Sequence, residues 1–138
     1  MALTIICVAG PNRTGKSSII RQFTATHLKY KGDEGDVLGV FRMPQLHYAV
    51  GVSGSGDNVG IVQDGLDFLG SYSGLRVIIV ASHFTGQTIE AVKRFAKNKK
   101  ANLLPPIRTR WFDSEREWKA AITQHASAIR SRMPGRNG

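Results

Sequence analysis

The sequence predicts an α/β fold: a three-layer α/β/α sandwich around a mostly parallel central sheet. Three observations carry this. Short β-rich apolar runs alternate along the chain with segments of helical spacing, the pattern of strands covered by helices on both faces. The first run, Leu3 to Ala9, is apolar without alternation, as expected of a strand buried on both sides. A glycine-bounded loop follows it and leads straight into a helical pattern.

In chain order, Leu3-Thr4-Ile5-Ile6-Cys7-Val8-Ala9 is the first strand. From Lys16, residues Ile19, Ile20, Phe23, His27 and Leu28 fall on one helical face. Lys31 to Asp36 is a polar loop, and Val37 to Phe41 a second strand. Tyr48 to Val52 is a third strand, followed by the glycine-rich turn 53–58. Val59-Gly60-Ile61-Val62-Gln63 reads as a further short strand ending at Asp64, with a glycine-broken helix over 65–72. Leu75 to Ala81 is a strong strand, and Thr88 to Lys99 a helix with Ile89, Val92 and Ala96 inward. Leu103 to Ile107 holds Pro105 and Pro106, which confine it to a sheet edge. A final helix opens on the capping pattern Ser114-x-x-Glu117, carries Trp118, Ile122, Ile129 and Met133, and stops at Pro134-Gly135.

The 138 residues fit one domain, expected over 1–133, with 134–138 as a flexible tail. A 41% hydrophobic content supports one core without disulfides. The single cysteine, Cys7, lies inside an apolar run and reads as a core residue. No apolar run approaches the roughly 18 residues of a membrane span, and the start lacks a basic leader, so no membrane partner and a cytoplasmic location are expected. The net charge of +9 is uneven: from Glu90 onward there are 12 Lys/Arg against 4 Asp/Glu, while the first 89 residues hold 7 against 6. The basic half is a candidate surface for nucleic acid or an acidic partner, or a solvated face that draws in nucleotide. The oligomeric state is left open.

The loop Gly10-Pro11-Asn12-Arg13-Thr14-Gly15-Lys16-Ser17 carries the chemistry. Its spacing, Gly-x-x-x-x-Gly-Lys-Ser, suits a phosphate cradle. Glycines allow the backbone angles and close approach, inward N–H groups bind oxygen, and the following helix presents its positive end. Lys16 is expected to reach the terminal phosphates and Ser17 to ligate Mg²⁺, with Gly10, Asn12, Arg13, Thr14, Gly15 and Ser18 completing the nucleotide contacts.

Residues 3–28 thus resemble the opening strand-loop-helix unit of the P-loop NTPase superfamily, and the loop wording is frequent in ABC-type and related ATPases. The resemblance implies a P-loop NTPase-like fold, ATP and Mg²⁺ as cofactors, and an acidic residue at the end of a second strand. Asp64 is the first candidate for that acid, as catalytic and metal residue, with Asp57 and then Asp36 behind it. The glutamate that often follows is replaced by Gly65, which argues against fast hydrolysis. In the additional-strand class the strand beyond that acid often ends in a polar γ-phosphate sensor, here Ser82 or His83. The ABC family itself is excluded by length and by the lack of a signature helix. GTP specificity is disfavoured because Asn98-Lys99-Lys100-Ala101 lacks the aspartate that reads guanine. Arg108 and Arg110 are candidate charge stabilisers or plain basic surface.

Three functions stay open at this point. One is a small ATPase or ATP-dependent switch using Lys16, Asp64 and His83. The second is a kinase for a nucleoside, nucleotide or metabolite. The third is a non-hydrolysing nucleotide- or nucleic-acid-binding module.

Overall fold

A computed structural model describes residues 3–11, 14–30, 36–43 and 45–135. Asn12 and Arg13 of the expected cradle, residues 31–35 of the polar loop and the end of the tail, 136–138, lie outside the described residues.

The chain is a mixed α/β fold with a mostly parallel sheet and, among the described residues, four helices. Its strands are β1 (Thr4–Ala9), β2 (Leu38–Arg42), β3 (Ala49–Ser53), β4 (Leu75–Ser82), β5 (Asn102–Leu103) and β6 (Ile107–Arg108). The helices are α1 (Lys16–His27), α2 (Val59–Gly70), α3 (Gln87–Lys99) and α4 (Glu115–Arg132). The sheet order is β2-β3-β4-β1-β5, with β6 also on β1. β1 is central and parallel to β4, β5 and β6; only β2, at the far edge, is antiparallel to its neighbour.

Alternation along β1 feeds two cores. Ile6 and Val8 join Ile19, Ile20 and Phe23 of α1 and Ile122, Ala126 and Ile129 of α4. Ile5, Cys7 and Ala9 join Val62, Leu66 and Leu69 of α2 and Ile89, Val92 and Phe95 of α3. A strand covered on both faces must be apolar at every position, and that is why β1 reads as an unbroken run. Pro105-Pro106 splits the last strand into β5 and β6 at the sheet edge, where no ladder partner is lost. Ser114 caps α4 by accepting from the Glu117 N–H at 3.1 Å. Among the described residues, no helix is long and apolar enough to cross a membrane.

The fourth expected strand is a correction. Residues 59–63 are the first turns of α2, not a strand, and the helix runs on through the glycines to Gly70. Asn58 decides it: its side-chain oxygen accepts from the N–H groups of Gly60 (2.8 Å) and Ile61 (3.2 Å). Val62, Leu66 and Leu69 then lie on one buried helical face. Gly65 lets α2 sit against β3, since a methyl group there would overlap the Ser53 hydroxyl. Pro134, expected to begin the tail, is held by the Tyr48 hydroxyl, which donates to its carbonyl at 2.8 Å.

Candidate functional site

Parallel strands aim their C-terminal ends at one rim, and the chemistry-bearing residues gather there. At the end of β1, Gly10 donates its N–H to Ser82 O of β4 (3.1 Å), while Thr109 donates to Ala9 O (2.8 Å). The loop therefore leaves the sheet gripped between β4 and the β6 exit. A side chain at Gly10 would collide with the Thr109 hydroxyl, so only glycine lets the two segments approach this closely. The Thr14 hydroxyl lies 2.5 Å from the Thr109 hydroxyl and 2.7 Å from Pro11 O, closing the loop on itself. Gly15 turns the chain into α1 with φ of 91°, the left-handed region, and the Trp118 indole lies over it.

Lys16 is 5% exposed. Its ammonium folds back over the loop, donating to Gly10 O at 2.8 Å and to Asp57 Oδ1 at 3.0 Å. Asp57 stands in the segment between β3 and the Asn58 cap. Gly56 carries that segment against the end of β4, where a side chain would strike the Ala81 and Ser82 backbone. His83, the residue after β4, brings Nε2 to 3.3 Å from the same Asp57 oxygen. Partial burial raises the Asp57 pKa. The hydrogen bond and charge of Lys16, then the charge and hydrogen bond of His83, outweigh this and hold the carboxyl below its usual value. Lys16, Asp57 and His83 thus form one connected polar cluster over the loop.

The Ser17 hydroxyl donates to the Asp36 carboxylate just before β2, and lies 3.4 Å from Gly54 O. A hydroxyl beside a carboxylate is the hard-oxygen pair that Mg²⁺ takes from protein, with phosphate oxygens and water filling the remaining positions. No group of three or more His, Cys, Asp or Glu side chains is gathered to hold a metal alone among the described residues. Ser18, one residue on, is half-buried in α1 and accepts from Arg21 at 3.2 Å.

Asp64 is placed differently from the sequence expectation. It is exposed in the middle of α2 and ends no strand, so it does not stand at a strand end where the acidic partner is expected. It lines a small apolar groove with Asp36, Ser55, Ile61 and Phe68, beside rather than within the Lys16 cluster. The strand that would end in the acid, β3, ends in Ser53. Among the described residues, the carboxylates touching the loop residues are Asp57 and Asp36, the second and third candidates for the acid. Thr109 and Trp118, which brace the loop, carry no local sequence signal that links them to Gly10 and Gly15. Cys7, buried with its Sγ 3.2 Å from Ser82 Oγ, is a core residue whose thiol burial pushes up to about 11.

No protein-family model matches this sequence, and no curated protein and no solved structure matches it either.

Proposed function

We propose that this chain is a P-loop protein that binds Mg²⁺-ATP and works as a small ATPase or ATP-dependent switch. One observation carries the reading: the ammonium of a nearly buried lysine, in a Gly-x-x-x-x-Gly-Lys-Ser loop between a strand end and a helix start, is held by a carboxylate. A buried cation held so near the surface is positioned to exchange one oxyanion for another. The sheet order adds support, since β4 lies between β1 and β3 as in the additional-strand class.

In this reading the loop N–H groups and the α1 N-terminus bind the phosphates, and Lys16 gives up Asp57 for phosphate oxygens. Ser17 and Asp36 are the residues that would hold Mg²⁺, which supplies charge neutralisation on the phosphates. Asp57 stays within reach of His83. The chain has no glutamate at the end of β3 to orient that water, so slow hydrolysis is expected. Asn98 and Lys99 close α3 without a following aspartate, which speaks for adenine over guanine.

A second reading, phosphoryl transfer to an acceptor hydroxyl, is favoured by Asp57 itself. A charged carboxylate, 59% exposed and backed by His83, is placed to take a hydroxyl proton. Incubation with γ-labelled Mg²⁺-ATP, with and without mixed nucleosides and nucleoside monophosphates, separates the two. Slow label release to water supports the switch; label on an added acceptor supports the kinase; no retained nucleotide at millimolar ATP removes both.

A further inference from the structure

The rim beside the loop carries a second set of groups outside the Lys16–Asp57–His83 cluster and the Ser17–Asp36 pair. Arg108, in register with Ala9 at the end of β1, stacks its guanidinium on the Phe84 ring at 3.7 Å from the centroid. Two residues on, Arg110 lies over the Phe112 ring at 4.7 Å. Trp111 between them is 60% exposed, the largest exposed fraction among the bulky apolar side chains described. Both arginines line a depression of about 630 Å³ that runs between the β6 exit and α4 past Gln124 and His125.

Aromatic rings distinguish this rim from the other basic surface. Among the described residues, neither Arg108 nor Arg110 has a carboxylate within ion-pair distance, and the same holds for Arg94, Lys97 and Lys100 at α3 and for Arg130 and Arg132 of α4. The one acid lining the depression, Glu117, is not paired with either arginine. The exposed faces of α3 are basic but offer no exposed aromatic ring. At the rim, arginines without a carboxylate partner among the described residues alternate with rings, in the order Phe84/Arg108, Arg110/Phe112 and Trp111.

We propose that this rim binds single-stranded nucleic acid, with phosphates on Arg108 and Arg110 and unpaired bases stacked on Trp111 and the Phe84–Arg108 pair. Flexible acidic protein would need the arginines but not the rings. A duplex would hide the base faces the rings require. A single strand uses both, because every base has a face to stack and every linkage a charge. The site stands independently of nucleotide in the phosphate loop.

The test is anisotropy of fluorescein-labelled dT20 and U20 against the full chain over a salt series, with a glutamate 20-mer as competitor. Wild type is expected to bind both oligonucleotides, with affinity falling steeply as salt rises. Trp111→Ala is expected to weaken binding about tenfold, and Trp111→Phe to retain most of it. Arg108→Ala is expected to weaken binding and flatten the salt slope by about 0.7. Lys16→Ala is expected to bind oligonucleotide within about twofold of wild type, the size of change that leaves a phosphate-loop contribution negligible. Trp111 is exposed, so its variants should melt with wild type. Equal competition by polyglutamate together with an unchanged Trp111→Ala affinity would replace the proposal with an acidic-protein surface. Loss of oligonucleotide binding in Lys16→Ala alone would move the binding to the loop, and no binding at low salt would end it.

Discussion

Replacing Asp57 by Asn should move stability and nucleotide affinity in opposite directions. The substitution keeps shape and an acceptor oxygen but removes the charge that Lys16 faces at 3.0 Å. Stripping the partner from a fully buried pair costs several kcal/mol, but here only the lysine is buried and Asp57 is 59% exposed. Solvent screening brings the loss to about 1 kcal/mol. The nucleotide-free protein should therefore melt earlier, by about 3 °C for a chain of this size. The same interaction must be broken before Lys16 can meet a phosphate, so the variant should bind Mg²⁺-ATP about fivefold more tightly. Denaturation without nucleotide, paired with calorimetric titration, reads both effects. The depressed pKa adds a signature. The stability contributed by Asp57 is fully present above the ordinary carboxyl pKa near 4 and fades as pH falls through the lower folded value. The wild-type advantage over Asp57→Asn should shrink in that acid window. Weaker ATP binding in Asp57→Asn would refute the reasoning and make Asp57 a direct partner of the bound nucleotide.

Three further outcomes follow from the packing. Asn58→Ala removes the two hydrogen bonds that open α2 and should cost about 1 kcal/mol in urea denaturation; no change would question where that helix starts. Gly10→Ala would collide with the Thr109 hydroxyl and lie 3.0 Å from its carbonyl, so a loss of about 1–3 kcal/mol is expected, partly recovered by adding Thr109→Ala. Cys7, buried and with its thiol raised to about 11, should resist alkylation at neutral pH in the folded protein and react once denatured; prompt labelling of the native chain would contradict the packing of β1.

The parts of the fold that were legible in the sequence are those where one local signal dominates. β1 announced itself by burial on both faces, and α4 by its cap and its stop. Edge placement of the last strand followed from Pro105-Pro106. The failure at 59–63 has a definite cause. Val59, Ile61 and Val62 favour strand by propensity, and Gly60 weakens a helix, yet the Asn58 cap and the spacing Val62, Leu66, Leu69 outweigh both. Reading Asn58 as a helix cap rather than a turn residue would have found the helix and removed Asp64 from the strand end. The loop residues were legible because their chemistry is local. Their neighbours were not: Asp57 reaches Lys16 across 41 positions, and Thr109 reaches Thr14 across 95. Contacts of that span come from sheet order, which one sequence does not display.

In the proposed function Lys16 holds phosphate. Calorimetric titration of Mg²⁺-ATP into wild type and Lys16→Ala, both shown folded by circular dichroism, tests it most directly. Saturable one-to-one binding by wild type and a loss of at least tenfold in the variant are expected. Equal binding by both proteins, or none by folded wild type, would contradict it and leave the Lys16–Asp57 pair as a structural contact alone.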